Sequence, residues 1–175
     1  MNPFRIHFDE LYRRHLCRHG DFGLNVLHVI AVVGIYFALA GLIDFGLKCF
    51  LPDTQRMIWL LCLTVPWLIT LAFNVPIAVS LFSGLTTTAL IAAVVFLPAI
   101  PAWIFVVLIL LLHQFQQWGH LLYPMHNDMT EFRDKYPKGV PLFLLLSAYE
   151  LPILIQFFLR WVSRSVTALQ KPGNQ

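Results

Sequence analysis

The sequence predicts an all-α fold: a polytopic transmembrane helical bundle of about five spans, preceded by an N-terminal interfacial helix. Three observations carry that expectation. Of the 175 residues, 58% are hydrophobic and 12% charged, with a mean hydropathy of +0.71, which leaves too little polar surface to cover a soluble globule of this size. Apolar runs recur at about 20 residues, the helical length that crosses a hydrocarbon core of about 30 Å. Prolines, glycines and short polar groups punctuate those runs. The length suits one domain without a separate soluble module. A net charge of +3, with basic residues in short groups at helix ends, argues against a nucleic-acid partner and fits anionic headgroups.

Residues 1–23 read as the interfacial helix and its turn. Asp9 to Arg18 has helix-forming residues with Leu11, His15 and Cys17 or Arg18 at one-turn spacing. Gly20, Asp21 and Gly23 then turn the chain into the bilayer. The first twenty residues are too polar and basic for a cleaved signal peptide, so the first span is expected to stay in the protein. Cys17, Cys49 and Cys62 are odd in number and have no C-x-x-C spacing, which suggests neither a disulfide framework nor a zinc ribbon.

The first span is expected at 24–47, with Asn25 a candidate N-cap and Asp44 and Lys48 spaced for a local ion pair. Pro52, Asp53 and Thr54 form a loop in which Asp53 or Thr54 is a candidate cap. From Met57 to His113 the chain is apolar almost without interruption, long enough for three spans or two very long ones. Turns at Asn74-Val75-Pro76 and Pro98-Ala99-Ile100-Pro101 divide it into spans at 57–73, 77–97 and 102–122. Ser80, Ser83 and Gly84, with Thr86 to Thr88, read as helix-packing surface. After a polar loop with a short surface helix near Thr130 to Asp134, a last span is expected at 140–161. It carries Glu150 and Pro152 and is closed by Arg160 and Arg164, with 162–175 a flexible tail.

Polar side chains in a span cost free energy unless they pair, bind something or face water, so their clustering marks a site. One cluster, His113, Gln114, Gln116, Gln117 and His120, closes the fourth span; another, His15, His19, Asn25 and His28, opens the first. Four crossings separate the two, and an even number returns the chain to the same face. Five spans therefore bring His15, His19 and His28 together with His120 and His126, whereas one span fewer would part them. His15 and His19, four apart, share a helix face on which two imidazoles can grip one cation. His113 and His120 are two turns apart, about 10 Å, too far to share an ion on a straight helix. His120, nearer the interface, is the favoured ligand, and His126 could fold back beyond Pro124. Neutral imidazole suits iron, zinc or copper. Glu150 could orient a ligating imidazole, and Gln116 and Gln117 serve the site or neighbouring helices equally well. Alternating spans place Arg5, Arg13, Arg14, Arg18, Arg133, Lys135 and Lys138 on the histidine face, against Lys48, Arg56, Arg160, Arg164 and Lys171 on the other. The excess favours a cytoplasmic histidine face.

These residues resemble the family of small integral membrane 2-hydroxy fatty acid dioxygenases, typified by the fungal α-oxidation enzyme and its bacterial relatives. The matching features are Tyr12, His15 and His19 ahead of the first span, Asn25-Val26-Leu27-His28 at its start and Phe115-Gln116-Gln117-Trp118-Gly119-His120 closing the fourth. The mid-chain proline turn and Glu150 also have counterparts. Departures are one residue fewer between Asn25 and His28, and Leu121-Leu122-Tyr123-Pro124 in place of an aromatic-Glu followed by Pro-Ala. The resemblance implies an Fe(2+)-dependent dioxygenase that removes one carbon from a 2-hydroxy fatty acid without 2-oxoglutarate. Ligand roles carry over to His19, His28 and His120, with His15 as a fourth.

The expected site therefore has His15, His19, His28 and His120 on iron, with zinc or another transition metal as the alternative. His120 and Glu150 are its catalytic groups, and Arg14, Gln116 and Gln117 contact substrate. Arg13, Arg14 and Arg18 would attract the carboxylate of an acyl chain entering from the lipid. Partners are a membrane lipid or fatty acyl substrate and molecular oxygen, with a homo-oligomer possible, in a bacterial inner membrane or the endoplasmic reticulum. Competing classes are a transporter with a histidine and Glu150 proton relay, for which polar residues should run through the bilayer depth, and a non-catalytic lipid-binding scaffold.

Overall fold

The structure is a computed structural model that describes residues 7–98, 100–123, 132 and 139–170. Among them it is all-helical: α1 (Phe8–Arg18), α2 (Phe22–Lys48), α3 (Asp53–Asn74), α4 (Ile77–Phe96), α5 (Ala102–Leu122) and α6 (Val140–Gln170). The helices α2 to α5, and α6 over Val140–Ser165, are each long and apolar enough to cross a membrane. In those apolar windows only 11% to 39% of residues are buried inside the protein, so most outward faces are left to lipid.

The breaks follow proline stereochemistry. Val75, Leu97 and Tyr123 each precede a proline and are extended, with φ of −124°, −73° and −118°, which ends α3, α4 and α5. Residues 57–113 thus hold most of α3, all of α4 and the first half of α5. The other bounds differ from expectation in detail. Pro52 is the N-cap of α3 and makes no side-chain cap; Asp53 instead binds Arg56 at 2.8 Å. The α6 helix continues through Gln170, so 162–170 is helix rather than tail, and 171–175 lies outside the described residues, as does the expected surface helix near Thr130.

The centre of the bundle is α2, which packs along α5 and also against α3, α4 and α6. Lipid gives helices no hydrophobic reason to associate, so close approach at small residues matters. Along the α2–α5 seam Gly41 faces Phe105, Gly34 faces Leu112, Gly119 faces Leu24 and Leu27, and Gly23 faces Tyr123. The order of these pairs makes α2 and α5 antiparallel. It brings the end of α5 to the start of α2, where the histidines are.

At the opposite end the Asp44–Lys48 pair forms at 3.4 Å, and Arg56 of α3 joins it at 3.2 Å. Asp44 and Arg56 are both almost wholly buried, so each charge is kept by the other, and α2 is tied to α3.

The apolar face of α1 packs on protein: Phe8, Leu11 and Tyr12 meet Leu71, Val75 and Val79 of the α3–α4 corner and Tyr149, Ile153 and Phe157 of α6. A helix that can bury aromatic and aliphatic area in protein gains packing contacts that a lipid surface does not offer. One expectation is corrected here, that of Arg160 and Arg164 on the far face. Along α2 the partners from α6 run in reverse order: Tyr36 with Ser147, His28 with Glu150 and Phe22 with Trp161. The α6 helix therefore runs in the same direction as α5 and ends on the histidine face. Arg160 there pairs with Asp9 at 3.4 Å and lies over the Tyr12 ring at 4.6 Å. The cause is this set of aromatic and ionic contacts, which alternation of spans does not capture.

Candidate metal centre

Two helices and the turn that follows a third deliver the histidines. His28 lies two turns into α2, His120 near the end of α5, and His19 just beyond Arg18, the last residue of α1. Gly119 lets α5 approach: a Cβ there would stand 3.2 Å from Leu24 Cδ1. That closeness sets His120 beside His28.

The rings of His19, His28 and His120 form a triangle with centroids 4.5, 4.9 and 5.0 Å apart, and their planes are mutually inclined by 56° to 77°. Each offers one ring nitrogen, and these atoms all lie within 4.8 Å of one another. On His19 and His28 hydrogen bonds select which nitrogen is free. His19 Nδ1 faces its own helix's last turn, donating to the His15 carbonyl at 3.3 Å; His28 Nδ1 donates to Glu150 Oε1 at 3.4 Å. That leaves His19 Nε2, His28 Nε2 and His120 Nδ1 buried without a hydrogen-bond partner among the described residues. Orphaned buried polar atoms are costly, and three at one point is the arrangement a cation would relieve.

Glu150 comes from α6. Its Oε1 accepts from His28 Nδ1 and, at 3.2 Å, from Gln116 Nε2. A carboxylate behind an imidazole fixes the ring and raises its basicity, so Glu150 acts on His28 rather than on an ion directly. Gln116 is buried and occupied with that carboxylate.

His15, expected as a ligand, stands outside the triangle. Its ring stacks on His19 at 4.4 Å with only 13° between planes, and its Nε2 is bonded to Asn25 Oδ1 at 2.8 Å. Imidazole lone pairs lie in the ring plane, so two near-parallel rings cannot aim at one ion about 2.1 Å from each. Two residues at helical spacing share a face without sharing a focus. Burial pushes the His15 pKa down to about 4, against the Asn25 bond that raises it. Burial, followed by the neighbouring His15, His28, His120 and Arg18, holds His19 lower still, at about 2. Both rings are neutral, as ligation and its support require.

Asn25 is not the expected N-cap of α2; that position is Asp21. Its Nδ2 donates to the carbonyls of His19 at 2.7 Å and Asp21 at 2.8 Å. An Asn three residues before His28 carried no sequence signal of this clasp beyond its place in the polar cluster.

The triangle opens into a cavity of about 380 Å³ whose wall includes Arg14, Arg18, Gln117 and His113, with Phe143 and Leu146 from α6. Arg14 is buried and Arg18 half-buried there, while Gln117 and His113 are exposed. His113 does not join the three histidines, as the two-turn offset requires. His126 lies outside the described residues. Three neutral nitrogen donors suit iron, zinc or copper and leave further positions open. Comparison with family models, curated proteins and solved structures returns no match for this chain.

Proposed function

We propose that this chain is a histidine-ligated, iron-dependent membrane oxygenase, a dioxygenase acting on a 2-hydroxy fatty acid or a related lipid. The observation that carries the reading is the convergence of three imidazole nitrogens without a hydrogen-bond partner among the described residues, one each from His19, His28 and His120, beside a cavity at one end of the bundle. Iron held by these three would supply oxygen activation at its remaining positions. The protein's own groups do the rest. Glu150 holds the His28 ring with its Nδ1 proton outward and Nε2 inward. Arg14 and Arg18 on the cavity wall draw a carboxylate to the ion, and Phe143 and Leu146 accept the start of an acyl chain. The overall reaction balances as 2-hydroxy acid plus O₂ giving the acid one carbon shorter, CO₂ and water, the four electrons of the two oxidised carbons passing to oxygen.

The histidine face is assigned to the cytoplasm. Arg13, Arg14 and Arg18 of α1 and Arg160 and Arg164 of α6 lie there, against Lys48 and Arg56 at the other end, among the described residues. A transporter is disfavoured because the titratable groups of the site, the histidines and Glu150, gather at one end of the bundle, and the buried Asp44–Arg56 pair stands apart from them at the other. Protein purified in detergent is expected to hold iron near one equivalent, and His28→Ala or His120→Ala to abolish it. Supplied with a 2-hydroxy fatty acid and oxygen, the wild type should release the acid one carbon shorter. Full metal content in both variants would remove the proposal.

A further inference from the structure

His19 differs from the other two candidate ligands in what holds it. His28 and His120 sit within spans, where a lipid surround forces every backbone group into helical hydrogen bonds and so makes the backbone rigid. His19 follows the last residue of α1, with φ −130° and ψ 51°, where the helix no longer supplies partners for its carbonyl. Something else must place it.

We propose that Asn25, acting with His15, is the positioning residue that makes the helix outside the membrane part of the metal centre. Asn25 is completely buried on α2, one turn before His28. All of its bonds run to the α1–α2 junction. The two carbonyls of His19 and Asp21, at 2.7 and 2.8 Å, can be met only by the NH₂ end of the amide, so its Oδ1 faces His15. An oxygen there requires a proton on His15 Nε2, which fixes that ring's tautomer and plane. The His15 ring then stacks on His19. Asn25 therefore grips His19 twice, at its backbone carbonyl and, through His15, at its ring. A cap would need only the carbonyls; the third bond serves the imidazole.

This inference rests on the metal-site reading, and the two fail differently. Detergent-purified full-length protein, stripped of metal, is titrated with Co(II) and followed by its visible absorption. The variants are His19→Ala, Asn25→Ala and the double variant. Asn25→Ala is expected to weaken cobalt binding roughly 10- to 100-fold and to move the spectrum toward that of His19→Ala. In the His19→Ala background it should cost nothing further, because its only route to the ion is gone. Additive losses, or a wild-type spectrum and affinity in Asn25→Ala, would overturn the inference while leaving the site intact. A wild type that binds no cobalt overturns both. If Asn25→Ala does not fold, Asn25→Asp keeps the shape but turns an oxygen on the two carbonyls, and must show the same non-additivity. His15→Phe, which keeps a stacking ring without the bond, is expected to retain all three ligands in the spectrum and to lose part of the affinity.

Discussion

Histidine protonation is where single residues govern this site. His15 and His19 are both held neutral by burial, His15 down to about 4 and His19 to about 2, from an ordinary 6.5. A lowered folded-state pKa means that the unfolded chain takes up protons first as pH falls. The stability that the packed neutral rings contribute is therefore present above about 6.5, lost progressively toward the folded value of about 4, and eroded further by His19 below it. Metal-free protein in detergent is expected to show a falling Tm between pH 6.5 and 4, with a shallower slope in His15→Gln. A Tm flat across that window, or a slope unchanged in the variant, would count against neutral, packed rings. At this scale the sequence was a good guide to residue type and a poor one to role. It marked His19, His28, His120 and Glu150, but ring orientation, which separates His15 from the three converging histidines, depends on side-chain torsions that spacing does not report.

At the scale of elements, the α2–α5 seam decides whether the candidate ligands meet. Its glycines are visible in the sequence, yet which of them matter is a question of what stands opposite. Gly41 faces the Phe105 ring, while Gly46 on the same helix has open space around it. Gly41→Leu is expected to cost about 1–3 kcal/mol by overpacking, whereas Gly46→Leu should stay within about 0.5 kcal/mol. Thermal unfolding in one detergent compares them directly, and equal losses would refute the seam. The proline turns were legible because a proline constrains its predecessor wherever it occurs, as at Val75 and Tyr123. The burial of Arg56 was not, since an arginine at the start of an apolar run reads as an interfacial anchor until Asp44 is found facing it.

For the whole molecule the decisive feature is direction. The α6 helix ends on the histidine face, so the start of α2 and the end of α6 share one side and the α2–α3 turn lies on the other. A chain with Cys17 and Cys62 replaced by serine keeps the exposed Cys49 in that turn. In sealed, uniformly oriented vesicles, an impermeant maleimide should reach either Cys49 or an added Arg164→Cys, never both. Gly20→Cys should follow Arg164→Cys. Labelling of Arg164→Cys together with Cys49 would return α6 to the alternating arrangement.

Composition and breaker positions alone determined an all-α membrane bundle, its span boundaries near Pro76 and Pro98, and the even count of crossings that brings His28 to His120. These are local or additive properties: transfer of apolar surface into lipid, the backbone limits of proline, and parity. Tertiary structure alone decided that α1 docks on protein, that Asn25 clasps the α1–α2 junction, that His15 stacks on His19 outside the triangle, and that α6 returns to the histidine face. Each of these depends on contacts between residues distant in sequence or on the angle of a ring, and neither hydrophobic period nor residue spacing encodes such quantities.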